Sequence, residues 1–435
     1  MSPRRYVVAL LNSAAFARAY TLTAIAAAFT SFLITRMMSP VSLATIIAVL
    51  ALLGAVVLLV RREELSLLRL APTSLLGFLA LALLSTLWSS DRSGTIAAWT
   101  TLFGYALIAV TIGHIRDTLQ TVRAIGDTLR VLLSLSLAAE ILSGILLDTP
   151  FTAFGIEGNL AIGGPVQGVF GTRNMLGFIA VIALITFVIE WRTQSIGRTA
   201  GVLSVALAGF LALLSASPTV VVLAAAVGIG TTALTIVRHT PPERRDVMQW
   251  LLGALVVGAL VLAFALRHRI ISLLDAGSDF STRADLWNLS LDFIAERPIT
   301  GHGWFGTWPR GQYPFTYINF QLADHHQSAL NSYFDVLLQL GWAGLALFLI
   351  LGGVAIVRSW LVASVRRSVV YAWTPLTLLT VAVESMFESF SLTGVGWLLL
   401  VLCALRAGQS RSWRESIDAA HTSAAIALRP ERGDG

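Results

Sequence analysis

Apolar stretches of about twenty residues recur along the chain, separated by short polar joints. A helix needs roughly 20 apolar residues to cross the hydrocarbon core of a bilayer. Runs of that order occupy residues 17–35, 41–60, 70–88, 95–113, 128–147 and 175–191. They resume at 199–216, 218–237, 249–266, 341–357, 369–388 and 391–407. The pattern predicts an all-α, polytopic membrane protein of about 12 transmembrane helices. Two of these runs are less regular than the others: 128–147 carries Glu140, and the joint Ser215–Thr219 is very tight.

The arginines orient the helices. Alternate joints hold Arg61, Arg62 and Arg69, then Arg116 and Arg123, then Arg192 and Arg198. The same side continues with Arg238, Arg244 and Arg245, and then Arg358, Arg366 and Arg367. The opposite short joints hold Arg36, then Arg92, and none at Ser215–Thr219 or Phe390–Gly394. Basic residues favour the cytoplasmic side, so both termini are expected there, in a multi-pass protein of the cell (inner) membrane. The expected division is a cytoplasmic N-terminus (1–16), a transmembrane region (17–407) and a polar cytoplasmic tail (408–435), partly disordered.

Two segments on the other side exceed a turn. Asp148–Arg173 is glycine-rich, and 267–340 is the one external loop large enough to fold. In Arg283–Arg297 the apolar residues Leu286, Trp287, Leu291 and Ile294 recur at helical spacing, with Ser281 and Thr282 as candidate caps and Pro298 as the stop. A second amphipathic helix is expected over Gln327–Leu340. The aromatic residues between them (Trp308, Tyr313, Phe315, Tyr317, Phe320) suit chain lying as a sheet at headgroup level.

Composition agrees with this reading: 56% of residues are hydrophobic and 12% charged, with a mean hydropathy of +0.77. Every basic residue other than histidine is arginine, and the net charge of +6 is spread between apolar runs, not gathered into a nucleic-acid-binding patch. The single cysteine, Cys403, excludes an intrachain disulfide and a cysteine-based metal site. The first apolar run is as long as a spanning helix, so a cleaved leader is not expected.

An external site has no ATP, and acts on an already activated donor or on an ion gradient. Arg173, at the mouth of a membrane helix, and Arg283, opening the loop helix, stand on the side where arginine is disfavoured. Guanidinium groups there suit a pyrophosphate, which they bind bidentately; headgroup anchoring, or ion pairing of Arg283 with Asp279 or Asp285, is the plainer role. Asp324-His325-His326 offers a neutral imidazole to take a proton from a hydroxyl nucleophile, or else solvated loop histidines. A metal site would need help, for which His302 is the candidate. Glu384 and Glu388, four apart on one helical face, can meet a loop arginine, hold an acceptor or relay a proton, and Glu140 is similar.

The order of motifs resembles the O-antigen ligase and polysaccharide polymerase superfamily. The matching pieces are Gly168-Val-Phe-Gly-Thr-Arg-Asn-Met-Leu-Gly177, Ser281-Thr-Arg-Ala-Asp-Leu-Trp287, Arg297-Pro-Ile-Thr-Gly-His-Gly-Trp304 and Leu330-Asn-Ser-Tyr-Phe-Asp-Val-Leu-Leu-Gln-Leu-Gly341, with Trp88-Ser89 before them. The resemblance implies a glycosyltransferase that uses neither metal nor nucleotide nor any other cofactor. It implies transfer of a glycan from undecaprenyl pyrophosphate to a glycan or glycolipid acceptor at the outer face of the membrane, with inversion. It places Arg283 and Arg173 on the pyrophosphate, and a histidine on the acceptor hydroxyl. Asn174, His302, Asn331, Glu384 and Glu388 are acceptor-binding or structural candidates.

The chain departs from the family twice. Leu330 stands where the family has histidine before the asparagine, so His326, one helical turn earlier, is the expected base, with His325 second. Ser215-Ala-Ser-Pro-Thr219 stands where a serine-arginine pair is usual. A transporter of polysaccharide or lipid-linked oligosaccharide predicts broken helices, an inverted repeat and midplane charges, whereas no internal repeat is seen here and the polar residues cluster on the external side. A non-catalytic scaffold for cell-envelope glycan assembly is the remaining alternative.

Overall fold

The computed structural model describes residues 3–63, 70–265 and 277–409. Among the described residues there is no strand, only an isolated bridge between Phe151 and Ile156. The helices are α1 (Pro3–Leu11), α2 (Ala14–Phe29), α3 (Ser31–Met37), α4 (Pro40–Val60), α5 (Thr73–Leu84), α6 (Arg92–Ile115), α7 (Thr118–Ile141) and α8 (Arg173–Arg192). After them come α9 (Arg198–Leu214), α10 (Pro218–His239), α11 (Pro242–Ala265), α12 (Gly277–Glu296), α13 (Phe315–Leu322), α14 (Ser332–Val365), α15 (Trp373–Glu384) and α16 (Gly394–Gln409).

Each apolar run of the sequence falls on one of these helices. Among the described residues six are long and apolar enough to cross a membrane: α4, α6, α7 with its extension to Leu146, α8, α10 and α14. A seventh span arises if α2 and α3, bent by 68° at Thr30, count as one. The apolar helices α5, α9, α15 and α16 are shorter. The protein is a multi-pass, all-helical membrane protein.

The helix ends follow from local chemistry. Ser13, Ser39, Asp91, Asp117 and Thr172 each cap the helix that follows by accepting a backbone N–H. Proline opens α4 and α10, where its missing N–H costs nothing. The core is one apolar cluster in which α8 packs on α9, α4 on α6, and α14 on α5 and α15. Glu140 is buried, and accepts the backbone N–H of Gly168 at 2.9 Å and of Gln167 at 3.3 Å. It therefore anchors the glycine-rich segment before α8.

The joints segregate to two ends. At one end Arg61 donates to the Asn12 carbonyl at 3.1 Å, His114 meets the Leu70 carbonyl at 2.9 Å, and Arg238 donates to the Ala363 carbonyl at 2.8 Å. At the other, Arg36 donates to the Thr152 carbonyl at 3.2 Å, Val166 N–H to Leu214 at 3.0 Å, and Trp88 Nε1 to the Thr300 carbonyl at 3.1 Å. These are the two groups of joints that the arginine pattern separates.

The loop segment 277–331 folds at the arginine-poor end around its own apolar cluster, which includes Leu286, Phe293, Trp308, Phe315 and Leu338. Three expectations are corrected here. Helix α12 begins at Gly277, so Ser281 and Thr282 lie inside it and are not its caps, and its buried face uses Phe293 while Leu291 is exposed. The aromatic stretch does not lie as a sheet: Phe315–Leu322 is helical, Trp308 and Phe315 are interior, and of the five Phe320 is the most exposed. The second amphipathic helix begins at Ser332, not Gln327, because Leu330 takes φ 50° and the Asn331 side chain caps from outside the helix. At Gly341 the chain bends (φ 64°, ψ −166°), and the membrane part of α14 follows. A Cβ there would collide with the Ile299 carbonyl, so only glycine allows the loop to close on this bend. Residues 267–276 of the expected loop, and the tail from residue 410, lie outside the described residues.

Candidate active site

The family-like motifs meet on top of this framework. Trp304 N–H donates to Ser85 Oγ at 3.0 Å, and Arg297 reaches the Trp88 carbonyl at 3.3 Å. Gly303 (φ 111°) lies so close to Ser89 that a Cβ would sit 2.7 Å from its side chain. Trp88-Ser89 is thus the seat on which the loop's glycine-rich turn rests.

Asp335, fully buried at the head of α14, ties three segments together. It accepts from Trp308 Nε1 at 2.6 Å and Ala329 N–H at 3.0 Å, and Ser389 Oγ donates to its second oxygen. Ser332 extends the seam: its N–H donates to the Ser385 carbonyl at 2.8 Å and its hydroxyl to the Glu388 carbonyl at 3.0 Å. Asn331 caps α14 through Tyr333 and Phe334 N–H and donates to the Met386 carbonyl at 3.0 Å. These bonds fix it in the seam.

Between these seams opens a cavity of about 410 Å³, lined by Thr172, Asn174, Arg283, Asp324, Leu330, Glu388 and Phe390. Its polar wall is one chain of hydrogen bonds. Arg283 Nη2 lies 3.1 Å from Glu388 Oε1, and Nη1 donates to the Phe387 carbonyl. Asn174 Nδ2 donates to the same Glu388 oxygen at 2.6 Å, Ser217 Oγ donates to Asn174 Oδ1 at 2.7 Å, and Thr219 Oγ1 is 2.7 Å from Ser217 Oγ. The Ser215–Thr219 joint, where the usual serine-arginine pair is absent, therefore contributes a hydroxyl that sets the Asn174 amide. The ion pair of Arg283 is with Glu388 across 105 residues of sequence. Glu384 is buried behind it, and its carboxylate oxygens have no hydrogen-bond partner among the described residues.

The two principal histidine expectations change. His326 is not on the helix with Leu330; it lies in the loop after α13, pinned by Asn319, whose Oδ1 accepts its N–H and whose Nδ2 donates to its carbonyl, both at 2.9 Å. Its ring is nearly buried, and Nε2 stands 3.3 Å from Oδ2 of the cavity-lining Asp324, an ion pair when the imidazole is protonated. His325 is exposed, does not line the cavity, and donates its N–H to Asp324 Oδ1 at 2.6 Å. His302 is also removed from the cavity. Its ring meets the Phe293 carbonyl at 3.0 Å and packs edge-on against Tyr313, inside the loop's own core. Burial lowers its pKa, against the Phe293 hydrogen bond, which raises it. The three histidines do not gather, and no group of three or more His, Cys, Asp or Glu with metal-binding geometry occurs among the described residues.

Arg173 is the first residue of α8, between Thr172 and Asn174, and does not itself line the cavity. Leu330 does line it, at the position where the family carries histidine. Missed by sequence reasoning were Asp324 as a wall residue, Ser217 as the partner of Asn174, and Asp335 as the clasp. Only the odd polar residues on apolar helices hinted at them.

No curated protein matches the chain. The sequence model of the family described as O-antigen ligase matches residues 165–349, which contain Asn174, Ser217, Arg283, Asp324, His326 and Leu330. The match bears out the resemblance carried by the motifs: over this span the chain is similar to the O-antigen ligase family.

Proposed function

We propose that the protein transfers a glycan from undecaprenyl pyrophosphate to a cell-surface glycan or lipid acceptor, at the extracytoplasmic end of the bundle. The observation that carries this reading is the cavity in which the loop arginine Arg283, Asn174, Glu388 and Asp324 converge. The N-terminus of α8 opens onto it, and its unsatisfied N–H groups add positive potential there. A pyrophosphate entering the cavity takes Glu388's place on the Arg283 guanidinium, with Arg173 adding charge at the rim.

The acceptor hydroxyl oxygen attacks the anomeric carbon as the bond from that carbon to the pyrophosphate oxygen breaks. The leaving group departs as lipid pyrophosphate, and the hydroxyl proton passes to His326. The Asp324 carboxylate, 3.3 Å from Nε2, stabilises the imidazolium that forms. The arginine-rich end then faces the cytosol, with both termini, in the inner membrane.

Leu330 in the cavity wall favours one rival, a non-catalytic scaffold that has lost the family's base. Replacement of His326 by Ala, and of Asp324 by Asn, separates the two readings. Transfer of glycan from the lipid-linked donor should stop in the first variant and fall in the second, at unchanged membrane levels. Unaltered surface glycan in both would leave the scaffold standing. Deletion of the protein should shorten one surface polymer and accumulate its lipid-linked precursor.

A further inference from the structure

A second polar cleft lies at the opposite, arginine-rich end. It has a volume of about 240 Å³ and is lined by Arg18 and Leu22 of α2, Arg116 of the α6–α7 joint, and Gln120, Arg123, Ala124 and Asp127 of α7. Three guanidinium groups from three segments therefore share one opening. Neighbouring arginines at this end have partners: Arg61 on Asn12, Arg130 on Glu190 at 2.8 Å, Arg238 on Ala363, and Arg406 on the Arg116 carbonyl. The guanidinium groups of Arg18, Arg116 and Arg123 have no hydrogen bond or ion pair among the described residues.

The acidic groups nearby are engaged elsewhere. Asp127 pairs with Arg130 at 3.1 Å, and Asp117 caps α7 through Gln120 N–H at 2.7 Å. Burial, only partly offset by Asp117, lowers the pKa of Arg116, and Arg18 adds to the lowering by repulsion. Three like charges that share a concave site with one carboxylate, itself paired with Arg130, are stabilised by an anion with several acceptor oxygens.

The cleft also has a direction. On α2, Leu22 is one turn further into the bundle than Arg18, and on α7 Ala124 lines the same groove. Polar contacts near the mouth with apolar ones beside them match an amphiphile whose phosphate sits at the membrane surface.

We propose that this cleft is a phosphate-binding site, held by Arg18, Arg116 and Arg123, for an anionic phospholipid headgroup. The site is separate from the glycan-transfer cavity and does not depend on its function. The test titrates phosphatidylglycerol, phosphatidylcholine or inorganic phosphate into the full-length protein in detergent, reading bound lipid by native mass spectrometry and thermal stability alongside. The variant is Arg18→Gln/Arg116→Gln/Arg123→Gln. Arg192→Gln/Arg198→Gln, exposed at the same end outside the cleft, is the control.

Phosphatidylglycerol should be retained and stabilising in the wild type and the control, and bound about tenfold or more weakly by the triple variant, which has lost all three charged donors. Stabilisation by inorganic phosphate alone, lost in the triple variant, would keep the site and assign it to a soluble phosphate. Equal phosphatidylglycerol binding by wild type and triple variant, or no preference over phosphatidylcholine, overturns the proposal. Equal stability of all forms in phosphatidylcholine shows that folding is not the cause of any loss.

Discussion

Replacing Arg283 by Met leaves Glu388 buried without its cation. The pair is 3.1 Å apart, with side-chain exposures of 15% and 8%. Removing one partner of a fully buried pair costs about 3–5 kcal/mol, and the residual exposure here brings the expectation to about 2–4 kcal/mol. Replacing Glu388 by Gln keeps an acceptor for Asn174 and removes only charge, at a cost of about 1–2 kcal/mol. In the double variant the Glu388 charge is gone along with its cation, so stability should recover by about 1–3 kcal/mol relative to Arg283→Met, the range of coupling expected for contacting residues. The assay is thermal inactivation in detergent with membrane abundance, measured beside transfer of lipid-linked glycan. The double variant should regain abundance and still fail to transfer, because the pyrophosphate has lost its guanidinium. Recovery of transfer together with stability would reduce Arg283 to a counter-ion for Glu388, and the donor-binding argument would fail.

Two further outcomes follow from the loop. Asp335→Ala orphans Trp308 Nε1, Ala329 N–H and Ser389 Oγ, at about 1–3 kcal/mol for each donor left buried. Limited proteolysis should then cut the loop much faster than in the wild type, while Asp335→Asn, which keeps an acceptor, falls between; cleavage at the wild-type rate would refute the clasp. The lowered pKa of His302 means that the unfolded loop binds the proton more readily than the folded one. Its contribution is therefore absent as a pH effect above about 6.5, and the loop loses stability as pH falls below that value. Proteolysis at pH 5.5 against 7.5 should show this loss, and His302→Gln should reduce the difference.

Much of the architecture was legible because it is local. A run of twenty apolar residues has few ways to satisfy its backbone in lipid other than as a helix, and each such run is helical. The partition of the joints into two ends was likewise written in the arginines. Motif order carried the family likeness, and Gly303 and Trp304, within the matched span, occupy a close contact with Ser89 and Ser85 that few other residues fit.

The site was legible only in part. Arg283, Asn174 and Glu388 were individually visible as polar residues in costly places, yet their union spans more than 200 residues between Asn174 and Glu388. No periodicity encodes such a pairing; it depends on where α8, α12 and the α15–α16 turn come to rest. Local pattern even misled at His326, because apolar spacing continues smoothly across a helix start. The start was decided by Asn331 capping from outside and by Leu330 in a left-handed conformation, and both depend on contacts with the distant Met386–Ser389 turn. Sequence alone thus determined which segments are helical, which end carries the arginines, and the family likeness of residues 165–349. Tertiary structure alone decided that Asp324 of the cavity wall stands beside His326, and that Glu388 holds Arg283, because charged groups take whichever partner the packing of remote segments supplies.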